Sequence, residues 1–464
     1  MNPLAEVPLP ADEPRRSLRY SNIEGSCWML MASVAGGAIV TAYAADLGAT
    51  DLQFSLLTGM STLAAFGAVL GAYAVGRTGS RRKAVLQFIW NRLLWFVPAA
   101  VALTPAPPGV ALATLLLILL FHSLLDNALG AAWLSWMTDL VPPERRNRYF
   151  GWRNALIGAV GMIATWLVGR GFDLLKARVV SHGQPVGLAY APFFLFAALG
   201  GVASIFFMRR QWEPPLSGER PIPLQYLLAL PLRHREFRRL LVFHLLWTFV
   251  CGVTAPFWRP QMIKHLDMNL EAIAIYGILS GVVGLAAQPI WGRIIDRIGS
   301  RPVIVLNQAF IALLPLLWLF ARPDFLWMIW VDALLTGAFW PGFTLAVFNL
   351  NMQTAPQENR TAYFAAVSLV TGLTGFAANL AGGRIALSLD GFQAALAGFP
   401  LNAYHVIFVL STVGRIALLP AAMRLPDSKS GSVGLLINLV GDKVQQMVFT
   451  GLQQGVALVR HKRR

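Results

Sequence analysis

Stretches of about twenty apolar residues recur along the whole of this chain, separated by short polar loops. Twenty residues of helix rise about 30 Å, the thickness of bilayer hydrocarbon. Inside lipid there is no water to satisfy a backbone N–H or C=O, so a spanning segment has to be a helix or part of a closed barrel. The runs are continuous rather than alternating, which selects helices. Composition agrees: the chain is 56% hydrophobic and 13% charged, whereas soluble domains carry about 45–50% and about 25%. The runs fall at about 26–46, 54–75, 84–104, 109–139, 149–169 and 190–208. They continue at about 240–263, 271–295, 302–321, 326–353, 361–386 and 403–424. The expected fold is an all-α polytopic membrane protein with 12 transmembrane helices.

Two loop segments are written twice. Gly76-Arg77-Thr78-Gly79-Ser80-Arg81 returns as Asp296-Arg297-Ile298-Gly299-Ser300-Arg301, 296 − 76 = 220 positions later. Pro142, Glu144, Arg146, Tyr149 and Phe150 return as Pro356, Glu358, Arg360, Tyr363 and Phe364, 356 − 142 = 214 positions later. A period this long exceeds the roughly 20–50 residues of a solenoid unit. It implies two related six-helix bundles, the build of a transporter whose halves rock about a shared central site. The expected boundaries are an N-terminal tail at 1–20, a first bundle at 21–208 and a linker at 209–239. A second bundle follows at 240–425, then a tail at 426–464. Apolar residues at helical spacing from Val433 to Val448 suit an amphipathic helix lying in the membrane interface.

The formal charge of +16 resides in loops and tails, with no basic face to bind nucleic acid. Arg15, Arg16, Arg77, Arg81, Arg145, Arg146, the 209–239 linker and the final Arg460-His461-Lys462-Arg463-Arg464 all fall on one side of the predicted membrane. The positive-inside rule makes that side cytoplasmic, with both termini and the linker on it. The cell (inner or plasma) membrane is the expected location. Cys27 and Cys251 both lie in predicted spans, which argues against a disulfide framework. The first twenty residues lack the apolar core of a signal peptide.

Six plus six helices with a basic loop after the second helix of each half resemble the major facilitator superfamily. Its loop pattern Gly-x-Leu-x-Asp-Arg-x-Gly-Arg-Lys is approached by Gly292-Arg293-Ile294-Ile295-Asp296-Arg297-Ile298-Gly299-Ser300-Arg301. The first copy, through Gly76, Arg77, Gly79 and Arg81, lacks the acid. Gly79 and Gly299 suit tight turns. Asp296 falls at the C-terminal end of its own helix, where the dipole disfavours a carboxylate, so it needs another partner. Arg297, Arg301 or the amino end of a neighbouring helix would serve. The resemblance implies that this neighbour is the fifth span, near Asn147–Arg153, and that the contact latches one face shut. A solvated loop acid is the simpler alternative.

Ionisable groups inside a span cost at least about 2.5–3.5 kcal/mol unless they are paired or face water. The fourth span holds His122, Asp126 and Asn127, the first two at i and i+4 on one helix face. Arg92 lies in the third span, His244 in the seventh, Asp332 in the tenth and Arg415 in the twelfth. The resemblance implies that the first, fourth, seventh and tenth spans line the cavity. That makes His122, Asp126, Asn127, Arg92, His244, Asp332 and Trp340 the substrate or coupling-ion candidates. Asp126 either takes up a proton or stays charged beside Arg92. Gly158, Gly161, Gly372 and Gly375 are expected to let helices pack closely. Antiporter subfamilies carry an Arg-x-x-x-Gly pattern in the fourth span, where this chain has Asp126-Asn127-Ala128-Leu129-Gly130.

No metal-ligand spacing and no catalytic constellation appears, so neither an enzyme nor a cofactor is expected. The expected partners are the lipid bilayer and a small solute, with a proton or cation as a possible co-substrate, acting on a monomer. The expected function is transport by alternating access. A sensor or partner-binding protein on the same fold is the alternative.

Overall fold

A computed structural model describes residues 13–141, 143–214, 231–356, 360–396 and 398–427. The interfacial helix expected near 433–448 and most of the linker lie outside the described residues. Among the described residues, eleven helices are long and apolar enough to cross a membrane. The first six are Glu13–Asp46, Asp51–Thr78, Arg81–Ala102, Pro108–Leu140, Arg148–Ser181 and Gly187–Met208. The remaining five are Leu270–Ile298, Ser300–Phe320, Trp327–Thr354, Tyr363–Ser388 and Ala403–Met423. The seventh span in chain order is the 18-residue helix Arg235–Gly252, continued beyond a break by Trp258–Pro260 and a π-helical turn at Gln261–His265. Its opening Arg235-Glu236-Phe237-Arg238-Arg239 lowers its hydropathy. Twelve crossings return the chain to the face on which it began, here the terminal face; the opposite one is the far face.

Small residues set the closest approaches. A Cβ on Gly67 or Gly71 would lie 2.0 Å from the Leu124 carbonyl oxygen or 2.2 Å from that of Ala128. The second and fourth helices therefore touch backbone to backbone, as membrane helices do when apolar side chains find equal company in lipid. Gly161 abuts Met29, and Gly372 and Gly375 abut Thr62 and Ala65, as expected. Gly158 instead faces open space.

Both duplicated loops turn on their glycines. Gly79 caps its helix at φ 60° and Gly299 sits at φ 89°, a region costly for any side chain. After each turn a carboxylate from the end of that half's last helix caps the next helix. Glu213 accepts from Ser80 Oγ at 2.6 Å and from the Arg81 amide at 2.5 Å. Asp427, 427 − 213 = 214 positions later, accepts from the Arg301 amide at 2.8 Å. Buried Arg81 also pairs with Asp139 at 2.6 Å. The two loops thus share a distant capping acid, and the one that lacks its own acid adds the Arg81–Asp139 pair.

Candidate functional site

Two helices are interrupted at corresponding places in the two halves. The first span breaks at Gly36–Gly37, between helices Glu13–Ala35 and Ala38–Asp46. The seventh breaks over residues 253–257, at Pro256, which has no N–H to continue the ladder. Irregular backbone at membrane depth survives only where it is packed in protein or lines a wet cavity. Here it lines one. A cavity of about 680 Å³ lies between the halves, walled by the first and fifth helices on one side and by the seventh, eighth, ninth, tenth and twelfth on the other.

The cavity is mostly apolar, with three charged side chains among the described residues of its wall: Arg259, Asp332 and Arg415. Tyr276 donates to Asp332 Oδ2 at 2.7 Å. Arg415 is 3% exposed and donates to the Ile311 carbonyl at 3.1 Å and to Thr254 Oγ1 at 3.3 Å. Among the described residues Arg259 reaches only the Gly37 carbonyl, at 3.5 Å, so the two interrupted segments face each other. Trp258, Trp318 and Trp340 complete the aromatic wall.

At the far face the halves are locked together. Asp173, on the fifth helix, accepts from the Leu270 and Glu271 amides at 3.1 and 2.8 Å, capping the eighth helix from the opposite half. Glu271 in turn receives Arg170 at 3.1 Å and Trp166 Nε1 at 3.1 Å. Gly169 makes this approach possible, since a Cβ there would lie 2.7 Å from the Leu270 carbonyl oxygen. Tyr404 donates to Asp51 at 2.5 Å, joining the twelfth helix to the second at the same face.

Of the sequence candidates, Asp332 and Trp340 reach the cavity, together with Arg415. His122, Asp126, Asn127, Arg92 and His244 do not line it. His122 is buried edge-on against Trp95, 5.6 Å between ring centres. Asp126 accepts from Trp28 Nε1 at 3.3 Å, and Asn127 donates back to its own helix at the Ser123 carbonyl. His244 meets Asn351 at 3.1 Å. Arg92 pairs with Glu24 at 2.9 Å, so a pairing with Asp126 is not what the structure holds. Glu24 also accepts from Ser204 at 2.7 Å and lies 3.7 Å from Arg153, whose guanidinium stacks over Trp133.

In the duplicated loops, Arg77 and Arg297 are exposed, and Gly76 and Gly292 lie within helices. Asp296 is exposed and pairs with no described residue; neither Arg297, Arg301 nor Arg153 holds it in this state. Glu24, Asp173, Arg259, Glu271 and Tyr276 were missed from sequence. A signal existed for two of them: Arg92 within a span called for an acid, and Trp258-Arg259-Pro260 placed a cation beside a helix breaker.

The comparisons with known proteins bear on the whole chain. No curated protein matches it. Among solved structures it is similar to an auto inhibited POT family peptide transporter, at 12% identity and TM-score 0.65 over 90% of this chain and 99% of that one. It is also similar to a D-xylose-proton symporter, at 12% identity and TM-score 0.63, covering 90% and 98%. The nucleoside transporter NupG gives 12% identity and TM-score 0.59, covering 89% and 99%. At these identities the likeness is one of fold. The family model of the Major Facilitator Superfamily matches residues 25–379 and again 254–435. With twelve helices in two related halves around one cavity, the chain belongs to the Major Facilitator Superfamily and is a membrane transporter, not an enzyme.

Proposed function

We propose that the protein carries a small solute through the cavity between its halves, which opens to one face of the membrane at a time. The observation that carries this reading is the position of the cavity. Both halves wall it, and the first and seventh spans are each interrupted at its edge. Paired breaks of this kind expose backbone dipoles to a solute at mid-membrane. The far-face lock of Asp173, Arg170 and Glu271 supports reading this conformation as the one shut at that face. The clustering of Lys and Arg in the loops and tails of the terminal face supports a cytoplasmic assignment for that face, in the cell membrane.

Accessibility tests this without knowing the solute. Gly277 lines the cavity, and a Cβ there meets nothing within 4 Å, so Gly277→Cys places a reporter thiol in open space. With Cys27→Ala and Cys251→Ala as background, the thiol should react with impermeant reagents added at either face of oriented vesicles. Joining Arg170→Cys to Glu271→Cys with a bifunctional thiol reagent should abolish labelling from the far face only. Far-face labelling that survives the cross-link removes the alternating-access reading.

A further inference from the structure

The cavity holds more positive charge than its own residues neutralise. Other buried or half-buried cations pair with acids: Arg92 and Arg153 with Glu24, Arg81 with Asp139, Arg170 with Glu271, Lys176 with Asp46. Arg259 has no such partner among the described residues. It is enclosed by the bundle yet accessible from the cavity, and its only polar contact is the Gly37 carbonyl at the limit of hydrogen-bond length. Holding an unpaired guanidinium at membrane depth is costly, and a solute that supplies the counter-charge recovers that cost.

Two further groups point to the same space. Helix Ala38–Asp46 begins at the cavity wall with no side chain capping it, so its first amides and the positive end of its dipole face the cavity edge. Arg415, 3% exposed and in the same wall, keeps its Nε without a hydrogen-bond partner. Among the described lining residues one acid stands against these, Asp332, which accepts from Tyr276 and lies in electrostatic reach of Arg415, so Arg259 is the charge left over. The rest of the lining is aromatic and aliphatic.

Resting on the transport reading above, we infer that the solute is an organic anion. Its carboxylate, sulfonate or phosphate head sits between Arg259 and the amino end of helix Ala38–Asp46, and its apolar or aromatic body lies against Trp258, Trp318 and Trp340. The guanidinium fork offers two parallel N–H donors to two oxygens of such a head. A neutral solute of the same shape leaves the charge unanswered.

The Gly277→Cys reporter in the Cys27→Ala, Cys251→Ala background reads this directly in the purified full chain. Two methanethiosulfonate reagents of similar size are compared, one ending in a sulfonate and one in a trimethylammonium. Each rate is divided by that reagent's rate with 2-mercaptoethanol. The sulfonate reagent is expected to react about tenfold faster, the ratio a single charge-assisted hydrogen bond supplies. Arg259→Gln should bring the ratio close to one, while Arg259→Lys keeps most of it. Asp332→Asn should raise it, which gives a second reading if the Arg259 variants fold poorly. A neutral methanethiosulfonate reacting equally with parent and variants shows that the cavity is intact. A parent thiol that does not distinguish the two charges, or a preference that survives Arg259→Gln, overturns the anion assignment and leaves the transport reading standing. A thiol that no reagent reaches overturns both.

Discussion

Arg92 donates to Glu24 at 2.9 Å, with the two side chains 2% and 3% exposed and 68 positions apart in the chain. This contact ties the third helix to the first, and Ser204 and Arg153 bring in the sixth and fifth around the same carboxylate. A single acid thus answers two cations, and its loss leaves both unanswered. Glu24→Ala is expected to lower stability by about 3–5 kcal/mol, the cost of breaking a buried pair from one side. Adding Arg92→Met should recover part of that loss, because removing both partners spares an orphaned charge. Thermal unfolding in detergent checks both; a neutral Glu24→Ala would show the cluster to be idle.

Asp173→Asn removes the charge that caps the eighth helix from across the interface. The replacement still accepts one hydrogen bond, so the far-face closure should weaken by about 1 kcal/mol rather than disappear. The expected sign is toward opening: faster labelling of the Gly277→Cys thiol from the far face, with no change from the terminal face. Equal labelling at both faces before and after would mean that the cap does not hold the gate.

Gly169→Leu attacks the same closure sterically. A side chain there meets the Leu270 carbonyl, a backbone atom with no rotamer to yield. The halves should be unable to reach the conformation described here, and far-face labelling should rise more than for Asp173→Asn. If Gly169→Leu labels as the parent does, the close approach is not required for closure.

Asp296→Asn separates a latch from a solvated acid. Since Asp296 pairs with no described residue here, the variant should leave the thermal stability of this state within about 0.5 kcal/mol. If the carboxylate holds the terminal face shut in the opposite state, its loss favours the present one, and far-face labelling falls. Unchanged labelling assigns Asp296 to solvent.

The crossings could be read because hydropathy reports long apolar runs, and eleven of the described helices carry one. What escaped is what a window of residues averages away. The apolar run begins at 26, past Glu24, because a carboxylate reads as loop until Arg92 and Arg153 are seen beside it. The fifth was ended near 169, short of Ser181, because Arg170, Asp173 and Lys176 resemble a helix leaving the membrane. Arg170 and Asp173 fasten the far face across the halves, and Lys176 ties the fifth helix to the first at Asp46. His122, Asp126 and His244 were correctly placed within their helices but not toward the cavity. Spacing along a helix says which residues share a face, while neighbouring helices decide where that face points. Gly36-Gly37 and Ala255-Pro256 are open breaker signals, and read as a pair they point to the cavity from sequence.

The twin carboxylates Glu213 and Asp427 carry a mechanical consequence. Each fastens the trailing end of a bundle to the turn before its third helix, so each bundle is buckled shut on itself. The connector between the bundles therefore departs from a fastened point beside Pro214, and residues added beyond it leave both fastenings in place. Lengthening that bridge should alter how far the two bodies can swing apart while leaving the shape of each untouched.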